Sequence, residues 1–206
     1  MQKKYPISGI ILAGGKNSRV NGANKSLFKV GAQTIFERTY AIMRTFFDDL
    51  IVVTRTPKNY LQWDITIVPD VYQAHCSLNG IYSGLLYAIN SQAFVVACDT
   101  PFISKELIAY MCDSYNDSSD VYYPQTEKGY EPLFAIYSKR CLNCFKNHLQ
   151  LNKYKITRCI KSLKIKTIPE STLRTKDANL LSFYNVNTEA ELACANRKLE
   201  ETRNET

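Results

Sequence analysis

The chain has 206 residues, 45% of them apolar, and carries a formal net charge of +7 at pH 7. This length and composition predict a single globular domain, 1–206, with a substantial core. No segment reaches the roughly 18 consecutive apolar residues of a membrane span, and the first apolar run stops at Gly14, too early for a secretory signal. A membrane protein is therefore not expected, and we expect a cytoplasmic location.

The first predicted strand, residues 7–13, opens directly onto a loop rich in glycine and in cations. Gly14 and Gly15 allow the backbone to approach a bulky anion and to adopt positive φ, so that successive N–H groups turn toward it. Arg19 and Lys25 add the positive charge that amides lack. A plain strand-to-helix turn is the alternative, but it rarely needs this many residues. The loop therefore predicts a nucleotide phosphate site at the end of the first strand.

The spacing within this loop narrows the kind of nucleotide site. A Walker loop requires Gly before Lys-Ser, whereas Asn24 precedes Lys25 here, and no dinucleotide-type G-x-G-x-x-G spacing follows Gly14. The pattern L-A-G-G-x-x-S-R-x-x-G-x-x-K resembles instead the signature loop of nucleotidyltransferases. Enzymes of that group join a nucleoside triphosphate to a phosphate-bearing acceptor and release pyrophosphate.

Beyond the loop, strands rich in Val and Ile alternate with helices as far as residue 120. In chain order these elements are a helix over 35–47, strands over 50–54 and 65–68, a helix from about Gly80 to Ile89, a strand over 93–98 and a helix capped by Ser104. Such alternation predicts an α/β fold of three layers, in which helices cover both faces of a mostly parallel central sheet.

After residue 120 the alternation loosens. The elements predicted there are strands over 121–123, 132–137 and 164–168, the second of them antiparallel, and a final helix that ends near Leu199. Thr188 and Glu191 form a capping-box pattern at the start of this helix. The polar residues from about Glu200 onward are expected to form a disordered tail, 200–206.

Polar residues that directly follow the predicted strands are the candidate site, because ligands of an open parallel sheet lie beyond the carboxyl ends of its strands. Besides the glycine loop, these residues are Thr54, Arg55, Asp70 and Asp99. Asp99 follows an apolar strand and precedes Thr-Pro, which suits a carboxylate that holds Mg²⁺ against triphosphate oxygens. Asp70 is expected to contact the nucleotide or a metal-bound water, with an Asx turn as the alternative.

Two further groups of residues are weaker candidates. Gly80 and Gly84 stand near the start of a predicted helix, where backbone N–H groups could face an anion. Asn185 and Asn187 follow a later strand, and their amides could coordinate Mg²⁺ or bind a ligand, or could form a turn and a helix cap.

The seven cysteines are scattered, as buried free thiols are. Cys141 and Cys144 form a lone C-x-x-C. With no second pair and no histidine cluster, we expect neither a metal site nor redox chemistry there. His75 lies in a loop that is expected to face the site, so a contact role remains open.

The excess positive charge is concentrated late in the chain. Six cations occur there without an acidic residue among them, at Lys153, Lys155, Arg158, Lys161, Lys164 and Lys166. A solvated basic face and an acceptor-phosphate site remain open as alternatives. No nucleic-acid-binding motif accompanies the stretch, so no nucleic acid partner is expected.

Four segments occur in the order found in molybdenum cofactor guanylyltransferases: the loop 12–25, Cys98-Asp99-Thr100-Pro101-Phe102, Glu131-Pro132-Leu133 and Asn185-Val186-Asn187-Thr188. The chain resembles this family over nearly its whole length. The resemblance implies a Rossmann-like nucleotidyltransferase fold that transfers GMP from Mg-GTP to molybdenum-loaded molybdopterin. It also implies transient contact with other proteins of molybdenum cofactor biosynthesis.

The resemblance assigns roles to individual positions. The nucleotide-binding residues would be Leu12, Ala13, Gly14, Gly15, Lys25 and Asp70, the magnesium ligand would be Asp99, and the pterin side would be Gly84, Asn185 and Asn187. In catalysis, Lys25 would stabilise charge on the α-phosphate, Arg19 would hold the β- and γ-phosphates, and Asp99 would position Mg²⁺. The chain departs from the family at Val20-Asn21, at Thr54, where relatives often carry Asn, and at Lys155, where relatives usually carry Arg.

Three other functions remain open. A cytidylyltransferase acting on the same pterin tends to have Leu-Ala-Ala-Gly in its loop, and Gly14 favours guanine because a methyl group would crowd the larger purine. A sugar-1-phosphate nucleotidyltransferase is usually longer than this chain. A non-catalytic basic binding protein would bind nucleic acid in a strongly salt-sensitive manner.

Overall fold

The computed structural model describes residues 3–14, 19–20 and 23–204; of residues 19–20, 23–25 and 202–204 it describes the backbone alone. The main sheet has eight strands: β1 (Ser8–Leu12), β2 (Leu50–Val53), β3 (Thr66–Val68), β4 (Gln92–Ala97), β5 (Val121–Thr126), β6 (Gly129–Tyr130), β7 (Phe134–Ser138) and β8 (Ile165–Pro169). Their order across the sheet is β6-β5-β7-β4-β1-β2-β3, and β8 also pairs with β5.

The strand pairings confirm the mostly parallel sheet. β1 lies between β2 and β4 and is parallel to both, and β3 extends the parallel part from β2. β7 is antiparallel to β4 and to β5, as expected for the strand predicted over 132–137. β8 returns parallel to β5. The parallel half therefore carries the glycine loop and the strand ends that were singled out from the sequence.

Seven α-helices accompany the sheet in the described part of the chain: α1 (Ile35–Phe46), α2 (Ser77–Tyr87), α3 (Lys105–Ser114), α4 (Leu142–Gln150), α5 (Ile156–Cys159), α6 (Glu170–Arg174) and α7 (Glu189–Asn204). Side chains of β1 alternate between two cores: Ile11 packs with α1 and α3, whereas Ile10 and Leu12 pack with α2 and α4. This alternation produces the three layers.

The predicted helix caps are present. The Ser104 hydroxyl accepts a hydrogen bond from Leu107 N–H (3.1 Å), and Thr188 and Glu191 exchange both bonds of a capping box (2.9 and 3.2 Å). α7 continues to Asn204, past the residue at which we expected a disordered tail to begin. Glu200 and its neighbours are polar but favour helix, which explains the longer element.

A small third core attaches α7 to the rest of the protein. Two-residue strands, Lys29–Val30 and Gln33–Thr34, form a hairpin whose turn contains Gly31 at φ +68°. Val30 packs with Val186 and with the inner face of α7. The segment that leads into α7 is thereby held across the carboxyl ends of the strands. Among the described residues, no helix is both long and apolar enough to cross a membrane.

Candidate active site

The carboxyl ends of the four parallel strands lie side by side. Backbone hydrogen bonds continue one residue past the strands, from Ala13 N–H to the Val53 oxygen (2.9 Å), from Cys98 N–H to the Leu12 oxygen (3.1 Å) and from Thr54 N–H to the Val68 oxygen (3.0 Å). Gly14, Asp70 and Asp99 are consequently brought to one edge of the sheet, as the sequence predicted.

Among the described residues, nothing requires a glycine at position 14. Its φ lies outside the left-handed region, contrary to our expectation of positive φ, and an added Cβ would lie 3.8 Å from the Val53 oxygen and 3.9 Å from Asp70 Oδ2. These are ordinary van der Waals distances. Within the described part of the chain, the space that a methyl group would take therefore borders the Asp70 carboxylate and is left unfilled.

Asp70 sits in a mixed electrostatic environment. Burial raises the pKa of this half-buried carboxyl group, while the nearby charges of Arg55 and His75 act in the opposite direction. Arg55 Nη2 lies 2.9 Å from His75 Nε2, so the two side chains meet beyond the ends of β2 and β3. The loop expected to bring His75 toward the site does so.

Two buried polar residues of α2 hold the Asp70 loop, and sequence reasoning missed both. The Asn79 amide donates to the Tyr72 and Ala74 oxygens (2.6 and 2.8 Å), and the Ser83 hydroxyl accepts from Val71 N–H (2.9 Å). Asn79 and Ser83 are four residues apart and so share one face of the helix. Their signal in the sequence was two polar side chains within an otherwise apolar helix.

Asp99 lies in the turn after β4. Its backbone oxygen accepts a hydrogen bond from Val186 N–H (2.8 Å), and the Thr100 hydroxyl closes the turn on the Ala97 oxygen (2.9 Å). Val186 is fully buried in the core under α7. This anchor brings Asn185 beside Asp99, although the two residues are far apart in the sequence.

Asp99 and Asn185 line one small cavity of about 170 Å³, which we name the Asp99 cavity. Glu131 lines the same cavity, and burial raises the pKa of its carboxyl group, opposed by a hydrogen bond with Thr126 and the charge of Lys128. The three side chains offer carboxylate and amide oxygens, which are the ligands that Mg²⁺ prefers. Sequence reasoning had not assigned a role to Glu131.

A larger cleft of about 630 Å³, the distal cleft, shares Glu131 and Asn185 with the Asp99 cavity. Asn187 lines it as well. Its cationic side chains are Lys128, Arg174 and Lys198, of which Arg174 is paired with Glu170 at 2.6 Å. Four carboxylates line the cleft as well, so its cations and its two amides are interspersed with acidic side chains: Glu127, Glu131, Glu170 and Glu191.

The two α2 glycines pack closely against β1. Gly84 is buried inside the helix, where an added Cβ would lie 2.7 Å from Ile10 Cγ2. Gly80 would similarly meet Leu12 Cδ2 at 3.1 Å. Close packing of α2 on β1 accounts for both glycines, and the pterin contact of Gly84 stays a prediction.

The rest of the glycine loop is described only in part. Leu12 and Ala13 are buried at its start, Gly15 lies outside the described residues, and Arg19 and Lys25 are described by their backbones alone. Lys25 begins a 3₁₀ turn, Lys25–Leu27. In the next residue, Ser26 Oγ lies 2.7 Å from the Tyr60 hydroxyl in a buried contact. The end of the loop is thus attached to the segment that follows β2.

The basic stretch 153–166 lies apart from these cavities. All six of its cations are exposed, and none of them lines the Asp99 cavity or the distal cleft. Its geometry fits the solvated basic face better than an acceptor-phosphate site.

The fold agrees with comparisons to known proteins. A profile of the MobA-like NTP transferase domain matches residues 9–166. The molybdenum cofactor guanylyltransferase of Desulfosudis oleivorans is 38% identical over 186 residues, which cover 90% of this chain and 92% of that protein.

Two crystal structures share the fold. Molybdopterin-guanine dinucleotide biosynthesis protein A from Archaeoglobus fulgidus superimposes with a TM-score of 0.83 at 22% identity, covering 95% of this chain and 100% of that one. The 2-C-methyl-D-erythritol 4-phosphate cytidylyltransferase of Thermus thermophilus gives a TM-score of 0.70 at 13% identity, covering 94% and 98%. The nucleotidyltransferase fold is confirmed, and the chain belongs to the MobA-like NTP transferase family.

Proposed function

We propose that this chain, as a single nucleotidyltransferase domain, transfers GMP from GTP to the terminal phosphate of molybdenum-bearing molybdopterin. Pyrophosphate is released and the guanine dinucleotide form of the cofactor results. The Desulfosudis relative, named a molybdenum cofactor guanylyltransferase, supports this reaction through its likeness over 90% of the chain.

The observation that carries the proposal is the open space at Gly14. Neither the backbone conformation nor the neighbouring atoms of the described residues require a glycine there. A nucleotide that approaches the backbone of Leu12, Ala13 and Gly14 would use this space and would meet the Asp70 carboxylate beside it. On the edge that faces away from the ribose, guanine carries the N1–H and exocyclic amino N–H donors, and a carboxylate can accept hydrogen bonds from both.

The reaction makes one phosphorus–oxygen bond and breaks another. An oxygen of the acceptor phosphate attacks the α-phosphorus of GTP, and the bond from the α-phosphorus to the bridging oxygen breaks, so that the electron pair leaves with pyrophosphate. A phosphate nucleophile is already ionised at neutral pH, and no general base is needed. Positioning and neutralisation of charge therefore dominate the catalytic task.

The chain's own residues divide this task in the proposal. Lys25 stabilises the charge that develops on the α-phosphate, and Arg19 holds the β- and γ-phosphates together with backbone N–H groups of Gly14 and Gly15. Asn185 and Asn187 orient the acceptor from the distal cleft, which both amides line.

A divalent ion, Mg²⁺ in the proposal, would be held by Asp99, with the Asn185 amide and the Glu131 carboxylate lining the same cavity. These oxygen donors fit a hard cation. The ion supplies positive charge that neutralises the triphosphate and the leaving pyrophosphate.

A turnover assay tests the proposal. Purified protein is incubated with Mg²⁺, molybdenum-loaded molybdopterin and either GTP or CTP, and pyrophosphate and dinucleotide are quantified. We expect product from GTP that depends on the pterin. Product from CTP but not from GTP would assign the cytidylyl reaction. Turnover with a sugar 1-phosphate in place of the pterin would assign a sugar-1-phosphate nucleotidyltransferase. No turnover with any acceptor would refute the proposal.

A further inference from the structure

A second group of chemically reactive side chains lies on the opposite face of the sheet from α1 and α3. Cys144 of α4 and Cys159, the last residue of α5, bring their sulfur atoms to 3.6 Å from each other. His148 lies one helical turn after Cys144, and its Nδ1 is 3.9 Å from Cys144 Sγ. One donor atom from each of the three residues falls within 4.8 Å of the other two.

These distances match those around a tetrahedral ion. Two thiolates bound at about 2.3 Å to one Zn²⁺ ion lie about 3.8 Å apart, and a thiolate and an imidazole nitrogen lie about 3.6 Å apart. The observed separations of 3.6 and 3.9 Å are close to both values. The Ser162 hydroxyl adds an oxygen 3.7 Å from Cys144 Sγ.

The same nitrogen, His148 Nδ1, also lies 3.0 Å from the Cys144 backbone oxygen. Binding an ion through Nδ1 replaces this contact, and Nε2 then carries the N–H of the ring.

We propose that Cys144, Cys159 and His148 bind one thiophilic divalent ion, Zn²⁺ in preference to others, with an oxygen in the fourth position. Binding replaces two S–H bonds by two sulfur–metal bonds and releases two protons to solvent, with no change of oxidation state. The soft donor set distinguishes this site from the oxygen donors around Asp99, so Mg²⁺ does not compete for it.

The ion would clamp α4 to α5 and to the 3₁₀ turn Ile160–Ser162. The exposed segment that carries Lys153 and Lys155 lies between these attachments. The site therefore fixes the base of the basic stretch and stabilises the folded chain by ligand binding.

The cluster differs from the sequence motif that had been considered. Cys141, the other half of the C-x-x-C, is buried and donates its S–H to the Asp120 oxygen (3.3 Å). Cys159 takes its place as the partner of Cys144, and the structure brings a histidine to the pair, which we had not expected from the sequence.

The test is a Co²⁺ titration of the full, reduced, metal-stripped chain under anaerobic conditions. Cobalt bound to thiolate gives a charge-transfer absorption in the near ultraviolet, and tetrahedral cobalt gives intense visible bands. We expect one Co²⁺ per chain, displacement by Zn²⁺ but not by Mg²⁺, and a higher Tm with Zn²⁺. C144S and C159S should abolish the charge-transfer band, and H148N should weaken affinity by roughly tenfold or more.

C194S, which removes another half-buried thiol, is the matched control and should bind Co²⁺ like the unaltered chain. Retention of the band in C159S would overturn the proposal, as would absence of the band in the unaltered chain with its thiols titrated as reduced. A mass loss of two hydrogens with no bound metal would also overturn it, because the two sulfurs would then form a disulfide instead. Circular dichroism of each variant separates loss of binding from loss of folding.

Discussion

Alanine at two glycines, Gly14 and Gly84, should have opposite effects on stability and on nucleotide binding. At Gly14 the new methyl group meets no atom of the described residues closer than 3.8 Å, and φ is not left-handed. The substitution should therefore leave stability unchanged or raise it by about 0.4–1 kcal/mol, because it restricts the unfolded chain. At Gly84 the methyl group would lie 2.7 Å from Ile10 Cγ2, deep in the packing of α2 on β1.

Overpacking of this kind costs about 1–3 kcal/mol, offset by about 1 kcal/mol from the better helix propensity of alanine. G84A should consequently lower Tm by a few degrees, since 1 kcal/mol shifts Tm by roughly 2–4 °C in a chain of this size. If the methyl group of G14A meets a bound purine, a cost of about 1–3 kcal/mol corresponds to roughly 5- to 150-fold weaker GTP binding. CTP should be affected less, because its base is smaller.

Differential scanning fluorimetry and calorimetric titration with GTP and CTP measure both effects on the same samples. G84A at a temperature where it is folded should bind GTP like the unaltered chain. A marked drop in Tm for G14A, or unchanged GTP affinity in that variant, would refute the assignment of this space to the nucleotide. Weaker acceptor binding by folded G84A would support the predicted pterin contact of Gly84.

Two further variants test the supports of the site and the stability of the fold. N79A removes the amide that bonds the Tyr72 and Ala74 oxygens, so urea unfolding should show a loss of about 1–3 kcal/mol, together with weaker GTP binding; equal stability would contradict the anchoring role. Burial raises the pKa of Asp120, but hydrogen bonds from Arg140 and from a backbone N–H outweigh it and hold that pKa below its usual value. Asp120 thus adds stability above pH 4 or so that is lost as the pH falls through its folded-state pKa. When Tm is measured at decreasing pH, the unaltered chain should show this loss of stability, and R140A should show a smaller one. The same dependence of Tm on acid pH in both proteins would contradict this role of Asp120.

The sequence predicted what local patterns determine. Apolar runs rich in Val and Ile located the buried strands, and the rule that ligands lie beyond carboxyl strand ends singled out Asp70 and Asp99. The capping box at Thr188 and Glu191 was also predictable, because its two bonds join residues only three apart.

Long-range contacts explain what the sequence could not reveal. A glycine that leaves room for a ligand and a glycine that leaves room for a neighbouring strand look alike in the sequence. Only the distance to Ile10 shows that Gly84 leaves room for a strand. Likewise, α5 is too short to show a helical period, so nothing indicated that Cys159 would meet Cys144.

Calorimetric binding of GTP, CTP and ATP in the presence of Mg²⁺, compared between the unaltered chain and D99N, tests the central claim most directly. D48N is the matched control, since Asp48 is an exposed carboxylate just before β2, at the opposite edge of the sheet. We expect GTP to bind most tightly, D99N to lose the Mg²⁺-dependent part of that affinity, and D48N to retain it. Equal binding of GTP by D99N and the unaltered chain at saturating Mg²⁺, or the absence of nucleotide binding by either, would contradict the account.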